Sequence, residues 1–285
     1  AGRGRDERAR VVGEPIPVGG APVQVAANDR GVWVGSLGEG RVYRIDPAGE
    51  QATPEAGVGE PEGIALGFGS VWAASRAGND LVRIDSETGE TTRIAVGPDP
   101  GGVLVGRNHV WVAVGGSDQV VRIDPETNDE LARVPVGLSP YGVAANGGLW
   151  VTNRDGNSVS LVRPEGAVQQ TTFAVGGDPK GIVVDFGRVW IANAGDDTVT
   201  TIDLEGGQGI GPPIRVGDKP RGMAAGFGSI WVTNGGDRSA SRIDPDTGEV
   251  VQELDVGRRP QGVATGAGSV WVANGGDGTV SRIEP

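Results

Sequence analysis

Seven tryptophans constrain this chain more than any other feature. Trp33, Trp72, Trp111, Trp150, Trp190, Trp231 and Trp271 follow one another at intervals of 39, 39, 39, 40, 41 and 40 residues. Each sits in a near-copy of one unit, seen most plainly in the stretch GRRPQGVATGAGSVWVAN that begins at Gly257. A period near forty residues requires a stacked or radial array, because one such unit cannot bury its own apolar faces. Every unit holds two apolar runs split by a glycine turn, then a polar loop, a run ending in an R-I-D-like triplet, and a last run ending in Val-Gly. In the sixth unit the strands fall at 222–225, 230–233, 240–244 and 249–256, with a turn at 226–229, a loop at 234–239 and a Pro-Asp-Thr-Gly turn before the last strand. All connections have hairpin length, so each unit is an antiparallel four-stranded sheet. Seven such sheets around one axis make an all-β, seven-bladed propeller.

The ends of the chain fit a closed ring. The segment VVGEPIPVG at 11–19 matches the fourth strands of other units, such as ELARVPVG and PPIRVG, whereas the last unit stops at Pro285, the end of a third strand. The N-terminal segment therefore supplies the missing outer strand of the last blade and covers an edge that would otherwise be exposed. Residues 1–10, AGRGRDERAR, have dense mixed charge and no apolar periodicity, and are expected to form a disordered tail or linker. That leaves 11–285 as a single propeller domain. Because the chain begins with Ala1, it is expected to be processed or to belong to a longer protein.

Proline and glycine order the strands. Proline cannot donate to a ladder and is confined to sheet edges. Pro15, Pro17, Pro54, Pro135, Pro212 and Pro213 all fall in fourth strands, which places those strands outermost. The first strands are then innermost, where seven chains converge. Gly63, Gly102, Gly142, Gly181, Gly222 and Gly262 open them and suit the crowding; Gln24 departs from this rule in the first unit. The second strands read V-W-V-A or a close variant, as suits a strand sandwiched between two blades, and the seven tryptophans are expected to pack there.

Composition excludes several kinds of chemistry. The chain has no cysteine, so it has no disulfide, thiolate nucleophile or thiolate metal ligand. Its single histidine, His109, falls in a turn between first and second strands, so imidazole triads and imidazole-rich metal sites are excluded. The net charge of −12 argues against nucleic acid as a partner, and no apolar run is long enough for direct membrane insertion. Asp118, Asp155, Asp196, Asp237 and Asp277 recur in the loops between second and third strands. Oxygen-only calcium ligation and ordinary Asx-turns are the two readings of that series, and the turn is favoured. The motif GGQGIG at 206–211 has no helix after it and reads as a lengthened turn, not a phosphate loop.

The two faces of the disc differ. Turns from third to fourth strands are rich in acid: Asp46, Glu50, Asp85, Glu87, Glu90, Asp124, Glu126, Asp129, Glu130, Glu165, Asp203, Glu205, Asp244, Asp246 and Glu249. Turn chemistry accounts for them. The opposite face carries the loops into the innermost strands, each with a proline: Pro22, Pro61, Pro100, Pro140, Pro179, Pro220 and Pro260. The residues after these prolines are Val23, Glu62, Gly101, Tyr141, Lys180, Arg221 and Gln261, among the least repetitive positions of a repetitive chain, at the mouth of the central channel. Arg76 and Arg154 lie on loops of the same face, and Lys219, Arg258 and Arg259 stand beside the prolines. Positive charge gathered around a mouth on an acidic protein would attract an anion, a solvated rim that holds no ligand being the other reading. The expected ligand-binding set is Glu62, Arg76, Tyr141, Arg154, Lys180, Arg221 and Gln261: Tyr141 to stack, Lys180 and Arg221 to pair with the anion, Gln261 and Glu62 to orient polar groups.

The repeats SVWVANGGDGTVSRIEP and SIWVTNGGDRSASRIDPDTGEVVQELDVGRRPQGVA resemble those of YVTN-type seven-bladed propellers, over residues 11–285. Propellers similar to these include the streptogramin (virginiamycin B) lyases and the sensor or ligand-binding halves of bacterial membrane proteins, including Ser/Thr kinases; the resemblance favours an extracytoplasmic location. The lyases use mouth histidines with a glutamate and Mg²⁺. Only Glu62 here offers an acid after a mouth proline, and no histidine accompanies it, so no catalytic residue carries over. The expected function is that of a non-catalytic, monomeric binding or sensor module without a cofactor, whose partner is a small anionic molecule, a peptide or another protein. The alternative is a lyase or lactonase that uses a divalent cation such as Ca²⁺ or Mg²⁺ held by carboxylates.

Overall fold

The computed structural model describes residues 8–46, 51–163, 171–204 and 209–285. The tail residues 1–7, the turn acids Glu50, Glu165 and Glu205, and the start of the 206–211 loop lie outside the described residues. Seven four-stranded antiparallel sheets form the molecule, six of them in simple chain order. The seventh sheet combines Pro260–Gly266, Ser269–Asn274 and Thr279–Glu284 with the N-terminal strand Arg10–Pro17. Val11 pairs with Ile283 and Ile16 with Val280, across a bulge that contains Gly13 at φ 69°. The closing strand starts one residue before 11, and Ala9 is already buried, exchanging backbone hydrogen bonds with the Gln252 side chain of the sixth blade at 3.1 and 2.7 Å.

Blade edges follow the prolines. Pro15 and Pro17 lie in the closing strand, Pro54 in Ala52–Gly57 and Pro135 in Glu130–Pro135, all outermost. Pro212 and Pro213 precede a fourth strand of only two residues, Ile214–Arg215, since two consecutive residues without N–H groups cannot hold a ladder.

The core is seven separate slabs, one per blade junction. Trp72 packs with Val110, Val112 and Ile123 of the next blade, and Trp271 closes the ring against Val32 and Val34 of the first. All seven indoles are buried. In five blades the Arg of the R-I-D triplet pairs across the sheet with the Trp and lies over its ring, Arg83 over Trp72 at 5.1 Å being the nearest. The same Arg83 donates to Pro125 O of the next blade at 2.7 Å, so one side chain both covers a tryptophan and ties two blades. The fourth blade has Leu161 in this place and packs Phe173 on Trp150 at 5.5 Å; the fifth has Thr201, and Arg188 covers Trp190 instead.

Candidate functional site

The inner strands make the site. Each begins at its mouth proline, which pairs with the last residue of the second strand, as Pro179 does with Asn193. The register then slips by one residue in every blade, from Pro179 to Ile182 in the fifth. Such a bulge re-aims side chains, and in five blades the residue after proline lines the axial cavity: Val23, Tyr141, Lys180, Arg221 and Gln261. The glycine that follows is required by the next blade: a Cβ on Gly142 would collide with the carbonyl oxygen of Lys180, and one on Gly181 with that of Arg221. Two threonines fasten this contact. Thr152 Oγ1 accepts from Gly142 N at 2.7 Å and donates to Lys180 O at 2.9 Å, and Thr233 bridges Gly222 N and Gln261 O in the same way.

The loops above are equally fixed. In all seven blades the carbonyl before the mouth proline accepts from the residue that follows the second strand, as in Arg154 N to Ser139 O at 3.0 Å and Gly235 N to Lys219 O at 2.9 Å. Asp99, Ser139, Asp178, Lys219 and Arg259 take left-handed backbone there, with φ between 49° and 56°.

Four of the seven expected site residues line one cavity of about 110 Å³ on the axis: Tyr141, Lys180, Arg221 and Gln261. Gln24 joins them. No carboxylate belongs to this lining. Farther along the first strands the lining adds Val103, Val143 and Met223, whose side chains also pack into the interblade slabs, beside the unpaired inner edge of those strands. Arg221 donates to Gln261 Oε1 at 2.9 Å, which leaves the Gln261 amide NH₂ as a further donor. Lys180 lies 3.3 Å from Asp178, with only 13% of its side chain exposed. Burial, and next the Arg221 charge, hold its ammonium pKa below the ordinary lysine value. The Tyr141 hydroxyl has no hydrogen-bond partner among the described residues. Burial, followed by the Glu62 charge, pushes its pKa up to about 12, so it remains a donor.

The other three residues, Glu62, Arg76 and Arg154, are drawn into an ion-paired wall beside the cavity. Arg76 reaches Glu62 at 3.0 Å, Glu60 at 3.2 Å and Asp99 at 3.9 Å. Arg154 lies 3.9 Å from Asp99, donates to Ser139 Oγ at 3.0 Å and stacks 5.7 Å above the Tyr141 ring. Glu62 is nearly enclosed, and desolvation raises its pKa against the opposing pull of Arg76. Arg258, expected near the rim, is paired with Asp277.

Four of the five repeated loop acids serve the backbone, and the fifth, Asp155, lies 3.8 Å from Arg154. Asp118 accepts from Ser139 N at 2.8 Å, Asp196 from Gly177 N at 2.6 Å, Asp237 from Asp218 N at 2.7 Å and Asp277 from Arg258 N at 2.6 Å. Each bonds the loop entering a first strand, which rigidifies the mouth. Among the described residues no three His, Cys, Asp or Glu side chains converge as a metal would require. Asp85, Asp124 and Asp244, on the opposite face, cap their turns in the manner expected of turn acids.

No family model matches this chain, and no curated protein matches it in sequence. Solved structures do match. The virginiamycin B lyase of Staphylococcus aureus superposes with a TM-score of 0.80 at 18% identity, over 93% of this chain and 95% of that one. The chain is a seven-bladed propeller similar in structure to virginiamycin B lyases. Hydrazine synthase of Kuenenia stuttgartiensis gives 0.84 at 15% identity, covering 100% of this chain and 99% of that one. The WD40 propeller domain of Doa1 gives 0.82 at 12%, covering 97% and 96%. Neighbours so varied share the fold alone, and the mouth has to be judged by its own residues.

Gln24, Thr152 and Thr233 complete the site beyond the expected set. Gln24 stands out in the sequence as the one inner position that is not glycine. Thr152 and Thr233 stand out as threonine at a position where the other five units carry alanine or glycine.

Proposed function

We propose that this propeller is a non-catalytic binding or sensor module whose channel mouth captures the carboxylate of a small molecule or peptide. One observation carries the reading: in a chain of net charge −12, the axial cavity is lined by two cations and no carboxylate. Lys180, Arg221, the Tyr141 hydroxyl and the Gln261 amide present donors from four consecutive blades. Charge-assisted hydrogen bonds from such groups in a partly desolvated pocket contribute about 1.5–3 kcal/mol each. Pinned loops and threonine-locked carbonyls mean that little ordering cost attends binding. The metal-dependent lyase or lactonase reading has less support. Its cation would sit at Glu62, and there the Arg76 guanidinium fills the space between Glu60, Glu62 and Asp99.

The test is a calorimetric titration with acetate and with the dipeptide Gly-Gly, using Gly-Gly amide as control. At least one carboxylate should bind while the amide does not, and Lys180→Ala combined with Arg221→Ala should weaken binding by tenfold or more without lowering the melting temperature. Unchanged affinity in the double variant, or equal binding of the amide, would remove the mouth from consideration.

A further inference from the structure

The cavity has two tiers of different chemistry. Its upper tier is the donor arc described above. Its lower tier is a collar of Ile64, Val103, Val143, Ile182, Met223 and Val263, one side chain from each of six blades. Along each first strand the chain runs from the mouth proline down to the turn on the far face, so these residues lie deeper than the donors. Resting on the carboxylate reading, we infer that the ligand is a short aliphatic monocarboxylate, its head at Tyr141, Lys180 and Arg221 and its tail in the collar.

Three features of the cavity select this class. Set against the roughly 150 Å³ that encloses benzene, the space of about 110 Å³ holds on the order of five or six non-hydrogen atoms, the size of propionate or butyrate and too small for a sugar, a nucleotide or a long acyl chain. The cations stand in adjacent blades, five and six, with none in the collar, so a second carboxylate would be buried without a partner. The collar offers no side-chain charge or hydrogen-bond partner, so polar atoms on the tail would meet only the unpaired backbone edge of the innermost strands. Each methylene of an alkyl tail buried against these side chains gains up to about fourfold in affinity.

The experiment is a titration series on the whole chain with acetate, propionate, butyrate, hexanoate, succinate and inorganic phosphate. Affinity should rise about fourfold per carbon from acetate to butyrate and fall again at hexanoate. Succinate and phosphate should bind more weakly than butyrate. Met223→Ala, which deepens the collar, should move the optimum to a longer chain; Val103→Phe, which fills it, should spare acetate and abolish the gain from propionate and butyrate. Melting curves of both variants check that they fold, and either one alone suffices. A series flat in chain length but lost in the Lys180→Ala, Arg221→Ala variant would overturn the aliphatic tail and leave the carboxylate reading standing, as would succinate matching butyrate. Phosphate binding ahead of every carboxylate would overturn the tail and replace the head group. No binding of any carboxylate to the wild-type chain at tens of millimolar would sink both.

Discussion

Lys180 sits in a position that works against its own charge. Enclosure and the Arg221 guanidinium both depress its pKa, so the unfolded chain binds its proton more firmly than the folded one does. Stability contributed by this group is therefore withheld at neutral pH and recovered as pH rises through the lowered pKa toward the ordinary lysine value of 10.5. A side chain retained at such a cost fits a binding role better than a structural one. Lys180→Met should raise the melting temperature at pH 7 by about 2 °C, on the scale of roughly 1 kcal/mol for a chain of this size, and abolish carboxylate binding; a lowered melting temperature would show the ammonium to be a structural group. Glu62 behaves in the opposite sense. Desolvation raises its pKa, so its folded-state advantage is full in acid and is lost as pH climbs through that raised value. Glu62→Gln should accordingly match or exceed wild-type stability at pH 7, with the difference vanishing toward pH 4, as thermal melts across that range would reveal. The sequence placed both residues at the mouth, because the residue after each proline is fixed by the repeat. It did not reveal that Arg76 gathers Glu60, Glu62 and Asp99, since that contact joins side chains from two blades whose directions no repeat dictates.

Single elements carry strain where the chain reverses. On the face away from the mouth, the hairpins at Phe68, Phe186 and Phe227 place an exposed phenylalanine at φ 50–53° ahead of glycine. Such two-residue turns need left-handed backbone at both positions, which Asn and Asp tolerate and a bulky side chain does not. Phe227 is 44% exposed and gives little burial in return. Phe227→Asn should therefore stabilise the protein by about 0.5–1 kcal/mol, measurable by urea denaturation; a loss would show that this ring supports the neighbouring blade. The strand boundaries themselves were legible: the sixth unit's first strand, read at 222–225, spans Pro220–Gly226, and its second, read at 230–233, spans Ser229–Asn234. The differences lie at the ends, where pairing runs on into residues that resemble turn. Less legible was the outer strand of the fifth blade, where Pro212 and Pro213 cut pairing to two residues. The prolines announced an edge, but not how little ladder would survive beside them.

At the scale of the whole disc, the donor arc exists only while the ring is shut. Its members come from the fourth to seventh blades, and the seventh is completed by a strand from the opposite end of the chain. Closure depends on the Arg10–Pro17 pairing with Thr279–Glu284, on buried Ile16 and Val18, and on the Arg10 to Glu284 contact at 2.6 Å. That last ion pair is exposed and counts for little beside the apolar contacts. The covalent arrangement is what makes the seam strong: to open the ring, the chain must strip a whole strand from a sheet, not merely slide one apolar slab off another. Circular permutation separates these contributions. Joining Pro285 to Arg8 through a Pro-Asp-Thr-Gly turn copied from the sixth blade and opening the chain between Gly257 and Arg258 would keep every strand but leave each blade made of one continuous segment. Opening it between Thr127 and Asn128 would instead preserve a shared blade, now the third. The first permutant should melt several degrees below the second and lose carboxylate affinity with it, because the sixth and seventh blades that meet at its seam carry Arg221 and Gln261. Equal melting temperatures for the two would mean that interblade packing alone holds the ring, and that the N-terminal strand covers an edge without locking it.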